Sequence, residues 1–99
     1  FGIQTYKNLR NAIQGLGLQA HHIIEQRLAA ALGLNSNEML SVALTKAEHQ
    51  AFTNAWRALI PYGTNYDLLS PQKVWEVAQK VYAEYPALLE AARISLFGK

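Results

Sequence analysis

Three helix-start signals divide the second half of this chain and leave it little freedom in how to fold. Thr45-Lys46-Ala47-Glu48 has the form of a capping box, in which the threonine hydroxyl and the glutamate satisfy free N–H groups at a helix start. It predicts a helix from Lys46 to about Ile60 with Phe52, Trp56, Leu59 and Ile60 as its apolar stripe, ended by Pro61-Tyr62-Gly63. Ser70-Pro71 places a serine cap before a proline at the first helical position. Val74, Trp75, Ala78, Val81, Tyr82 and Tyr85 then share the apolar side. Pro86 interrupts that helix and opens a last one through Leu88, Leu89, Ala92 and Leu96, ending at Gly98.

The first half is shorter in period. Tyr6, Leu9 and Ile13 have helical spacing within Thr5 to Gln14, and Gly15-Leu16-Gly17 breaks that helix with a turn. Leu18 to Ile24 reads as a strand, followed by a helix from about Glu25 to Leu32 that Gly33 ends, and by the polar loop Asn35-Ser36-Asn37. Ile24, Leu28, Ala31 and Leu32 fit one continuous helix from Leu18 equally well, so the boundary near His22 stays open. Met39 to Leu44 is a short apolar run around Val42, read as a strand that pairs back on the first to make a hairpin. The expected class is therefore α+β and mostly helical, a small β-hairpin plus helix with flanking helices. Residues 1 to 99 form one domain, with the hairpin unit at about 18 to 60 and the C-terminal helices at about 70 to 97. No repeat, low-complexity stretch or linker interrupts it.

Composition narrows the classes further. Hydrophobic residues at 51% against charged ones at 16% belong to a packed core, not to a disordered tail. No run approaches the length of a membrane-spanning helix, and the start lacks a signal-peptide layout. A chain that opens on Phe1 reads as a domain cut from a longer polypeptide or as a processed product. Without cysteine, any transition-metal site must use imidazole, carboxylate, amide or hydroxyl groups. A net charge of +2 and a pI near 9.1 permit a nucleic-acid partner without requiring one. The basic excess lies in residues 1 to 57, where Lys7, Arg10, Arg27, Lys46 and Arg57 face Glu25, Glu38 and Glu48.

That half also holds all three histidines, the doublet His21-His22 and the single His49 just behind the capping box. On an extended segment, adjacent side chains point to opposite sides, so one imidazole can hold a metal while the other reaches a water molecule. A helix histidine can close the metal site. Hydrolysis of a phosphodiester needs a nucleophilic water, neutralisation of growing charge and help for the departing oxygen. One metal and one general base supply all three. On this reading His21 and His49 bind the metal and His22 is the base, since its ordinary pKa lies near neutrality.

These residues resemble the His-Asn-His, or ββα-metal, nucleases, specifically the HH-type members found as C-terminal toxin domains of bacterial polymorphic toxin systems. The resemblance covers roughly residues 18 to 57. It implies His21 as metal ligand, His22 as general base and His49 as the ligand in the first turn of the helix. Asn37 would brace the loop that carries the base, with Asn35 as the competing choice. Many relatives have a second helix ligand four residues on, where this chain has Thr53, a poor transition-metal ligand. Glu25 and Asn54 are then candidates to complete the set, with water or phosphate oxygens. The ion would be divalent: imidazole favours zinc, nickel or manganese, whereas magnesium prefers oxygen. Zinc and magnesium are both retained.

The resemblance further implies an antibacterial effector domain, delivered by a bacterial secretion system into the cytoplasm of a target cell. It would act on DNA with little sequence specificity and be held by a cognate immunity protein. Arg57 and Arg27 are candidate phosphate contacts. Arg57 is eight residues after His49, about 80° around the helix and two turns along. Trp56 and Trp75 belong to the core rather than to a base-stacking surface. Two other readings use the same residues: a non-enzymatic helical interaction module with a structural metal, and an RNase on the same fold.

Overall fold

The computed structural model describes residues 2–98, and what decides its architecture is the strand Leu40–Leu44. It lies in the middle of a three-stranded antiparallel sheet of order β1-β3-β2, where β1 is Gln4–Thr5, β2 is Gln19–His22 and β3 is Leu40–Leu44. β2 pairs with β3 from Gln19 opposite Leu44 to His22 opposite Ser41, so the doublet stands at the end where β3 begins. A continuous helix from Leu18 is thereby excluded. The third strand, β1, goes beyond the expected hairpin: Gln4 and Thr5 pair with Ser41 and Leu40 on the other edge of β3. Two residues carry no readable period, which is why the pattern missed them.

Among the described residues there are also five α-helices: α1 (Tyr6–Ala12), α2 (Gln26–Ala31), α3 (Lys46–Leu59), α4 (Pro71–Val81) and α5 (Pro86–Phe97). The molecule is α+β and mostly helical, as the spacing predicted. α1 starts where the Thr5 hydroxyl accepts from the Asn8 N–H, and it leads to the Gly15-Leu16-Gly17 turn. Both glycines there sit at positive φ, 77° and 71°, a conformation that costs L-residues energy. Both halves of the capping box form at α3: Glu48 N–H donates to Thr45 Oγ1 at 3.2 Å, and Thr45 N–H donates to Glu48 Oε1 at 2.9 Å. The Ser70 hydroxyl caps α4 through the Lys73 N–H.

α4 ends at Val81, before the stretch through Tyr85 that spacing suggested. Proline disfavours helical backbone at the residue before it, and Tyr85, at φ −129° and ψ 76°, is non-helical and half-exposed as the cap residue of α5. Leu59, expected in the α3 stripe, is likewise exposed, because the inward line of that helix runs from Trp56 to Ile60. No described helix is long and apolar enough to cross a membrane.

One core joins sheet and helices. Ile23, Ile24 and Leu28, just after β2, pack with Trp56 and Ile60 of the α3 region and with Val74, Ala78, Tyr82 and Ala92 from the C-terminal helices. The doublet is therefore anchored immediately downstream by two fully buried isoleucines. Ile24→Ala should lower unfolding free energy by about 2–5 kcal/mol through transfer and cavity terms. Thr45→Ala, which removes only a cap, should cost about 1 kcal/mol. Urea unfolding of both variants checks that order.

Candidate functional site

Strand alternation sends the two adjacent histidines in different directions. His21 turns inward and is 3% exposed, whereas His22 is only half-buried. The His21 ring stacks on Phe52 of α3 with centroids 5.5 Å apart and meets His49 edge-on at 5.2 Å. Its Nε2 lies 2.9 Å from the Tyr82 hydroxyl. Burial, and secondarily the nearby His49 and His22, hold the His21 pKa down at about 3. The ring is thus neutral at physiological pH, the form in which imidazole ligates metals.

His22 is held on two sides. Its ring stacks on Tyr6 at 4.0 Å between centroids, nearly parallel at 16°, and its Nε2 is 3.2 Å from the Ser36 carbonyl. A carbonyl only accepts, so Nε2 carries the proton and Nδ1 is left with the lone pair. Burial lowers the pKa of His22, the Ser36 bond opposes that, and His49 adds to it. The Ser36 carbonyl is presented by a single 3-10 turn, Ser36–Glu38, whose cap is Asn35: its Oδ1 accepts from the Asn37 N–H at 3.0 Å. Of the two asparagines, then, Asn35 braces this loop by its side chain, and Asn37 contributes its backbone N–H. An Asx turn needs the amide at the cap position, two residues before the N–H it binds.

His49 stands in the first turn of α3, fixed there by the capping box, and Thr53 and Arg57 follow on the same face. Together with His21, His22, Glu25, Gln26 and Tyr62 they line an open cavity of about 250 Å³. Asn54 points elsewhere, accepting from Gln50 at 2.8 Å on the exposed side of α3. One helical position separates it from Thr53, and at 100° per residue that is enough to leave the cavity.

Arg27 is bound up in the fold. It donates to Glu25 Oε1 from Nε and Nη2, to the Tyr66 hydroxyl at 3.1 Å and to the Ile60 carbonyl at 2.5 Å. Those four bonds use all but one of its five N–H donors, and it ties the end of α3 to the start of α2 rather than facing the cavity. Glu25 keeps its second carboxylate oxygen. Arg57 has no hydrogen bond or ion pair among the described residues; its guanidinium lies 4.6 Å from the centre of the exposed Tyr62 ring, at the rim.

The His21–His49 pair can be compared with a shared-ion site by the separation of its rings alone. Two imidazoles bound at about 2.0–2.1 Å to one tetrahedral ion have centroids roughly 5 Å apart, and His21 and His49 are separated by 5.2 Å. They are an incomplete set, since no group of three or more metal-ligating side chains stands together among the described residues. The remaining positions would fall to oxygen donors, with Glu25 and Thr53 on the same wall.

Further groups at or behind the site that residue patterns did not single out include Gln26, Tyr6, Tyr62 and Tyr82. For Tyr82 a signal existed, a tyrosine on the apolar side of a helix where phenylalanine would pack as well, because a buried hydroxyl needs partners. The stack of Tyr6 on His22 depends on the short β1 strand and had no such signal.

The chain matches no protein-family model, no curated protein and no solved structure. The chemistry of the cavity must be judged from its own geometry.

Without metal, the unfolded chain protonates His21 near the ordinary value of 6.5, whereas the folded chain resists until about 3. The unfolded state therefore binds more protons across that window, so stability is full above it and falls as pH drops through it. The slope from this one group is about 1.4 kcal/mol per pH unit. Urea midpoints of the metal-free protein should decline from neutral pH downward, and His21→Gln should flatten the decline; parallel curves would show that His21 is not the group.

Proposed function

We propose that this domain is a metal-dependent endonuclease of the His-Asn-His type that hydrolyses DNA phosphodiester bonds with little sequence specificity. The observation that carries the reading is the state of His22: its Nε2–H is spent on the Ser36 carbonyl, so Nδ1 is a free base beside a cavity that also holds the His21–His49 pair. A lowered pKa keeps that base unprotonated at neutral pH.

His22 would take a proton from the attacking water at Nδ1. The resulting imidazolium is stabilised by the Ser36 carbonyl through the bond already in place, so the ring need not reorient. Tyr6 fixes the plane of the ring from one face. A divalent ion held by His21 and His49, zinc, magnesium, manganese or nickel, would neutralise charge on the scissile phosphate and the departing oxygen. Arg57, unpaired and at the rim, suits a neighbouring phosphate. By resemblance, the setting is an antibacterial effector delivered into a competitor's cytoplasm and neutralised by a cognate immunity protein.

Purified wild type should nick supercoiled plasmid with added magnesium, manganese, zinc or nickel and fail in EDTA. His22→Ala should lose about 10²–10⁴-fold in rate while its fold and metal binding persist. Arg57→Ala should raise KM more than it lowers kcat. Preference for RNA over DNA in the same assay would change the substrate. No cleavage under any metal would sink the enzyme and favour a structural-metal interaction module.

A further inference from the structure

The Tyr82 hydroxyl lies within hydrogen-bond distance of three groups at once: the Ile23 carbonyl at 2.6 Å, the Trp56 Nε1 at 3.2 Å and the His21 Nε2 at 2.9 Å. A hydroxyl has one proton to give and two lone pairs. The Ile23 carbonyl can only accept, so it takes the proton. The indole N–H can only donate, so it occupies one lone pair. The remaining lone pair is what His21 meets, and it can be met only by an N–H.

From this proton count we propose that Tyr82 is a positioning residue that fixes His21 as the Nε2–H tautomer, which leaves Nδ1 as the sole lone-pair nitrogen of that ring. Tyr82 does not line the cavity whereas His21 does, so the ring turns its Nε2 edge away and meets the cavity with the rest. Any metal on His21 is then bound through Nδ1. This clause rests on the ligand pair of the nuclease reading; the tautomer itself does not. The residue responsible is 61 positions away in the chain, at the end of α4, so the C-terminal helices set the state of a histidine on the sheet. All three partners and Tyr82 itself are buried, and no water can stand in for the hydroxyl without a cavity being opened.

The test reads ring nitrogens directly. Long-range ¹H–¹⁵N correlation of the histidine rings in the metal-free protein at neutral pH, with His21 assigned by its absence in His21→Gln, should show a protonated Nε2 and an unprotonated Nδ1. Tyr82→Phe should convert His21 to a mixture of tautomers and weaken zinc binding, measured by calorimetry, about 10–100-fold. Trp56→Phe should leave the tautomer unchanged, because the Ile23 carbonyl still takes the hydroxyl proton. An Nδ1–H tautomer in the wild type overturns the proposal, and that spectrum decides the matter even if Tyr82→Phe does not fold. An unchanged tautomer in folded Tyr82→Phe overturns it as well. Altered tautomer with unchanged zinc affinity removes the metal clause alone. None of these readouts uses cleavage, so an inactive protein with the expected spectrum would count against the nuclease and not against Tyr82.

Discussion

A single buried hydroxyl joins β2, α3 and the end of α4. Tyr82 receives Trp56 from α3, gives its proton to the carbonyl just after β2 and meets a histidine on β2, all within the buried core. Such a group is asymmetric in its energetics: each bond formed contributes about 1 kcal/mol net, but a partner left unsatisfied in the interior costs about 1–3 kcal/mol. Burial also raises the phenol pKa, so the proton count at this oxygen does not change with pH in the physiological range. The geometry of His21 is consequently tied to the packing of α4, and the sheet cannot shift against that helix without breaking the bonds of Tyr82 to Ile23 and His21.

A second anchor works at the rim. Arg27 bridges α2, the end of α3 and the 3-10 turn Tyr66–Leu68 by bonds to Glu25, Ile60 and Tyr66. A guanidinium at the C-terminal end of a helix also meets the negative end of its dipole. With Glu25 largely buried beside it, the pair is held by several hydrogen bonds rather than by charge alone. This arrangement explains why two arginines that look alike in the chain have separate fates. One is held in the fold by hydrogen bonds, and the other, Arg57, has no hydrogen bond among the described residues and stands at the cavity mouth.

Much of the fold was legible because its signals are local. The capping box at Thr45, the Ser70-Pro71 pair and Pro86 each act within one turn of chain, and each marks a helix start in the structure. His21, His22 and His49 all line one cavity, as the doublet and the helix start behind the capping box suggested, although strand alternation by itself parts His21 from His22. What was not legible depends on distance in the chain. The β1 strand exists only because β3 offers it an edge, and a two-residue segment has no period of its own. The Ser36 carbonyl that orients His22 is a backbone atom, and no residue type announces it. Asn35 and Asn37 differ only in which one occupies the cap position of a turn, a matter of backbone geometry and not of composition.

The two histidines of the doublet illustrate how one environment can prepare different chemistry in neighbouring residues. Both are shifted below the ordinary imidazole value by burial and by the third histidine, yet the shift has unlike consequences. For His21 the burial is nearly complete and the ring stays neutral far into acid, as the ligand role proposed for it requires. For His22 the Ser36 carbonyl favours the protonated form and works against burial, so the ring remains able to accept a proton and stabilise it. The strand places these residues back to back, and only their partners distinguish them: a hydroxyl that demands an N–H from one, and a carbonyl that demands an N–H from the other. Each demand is made at Nε2, so both rings are left with Nδ1 free.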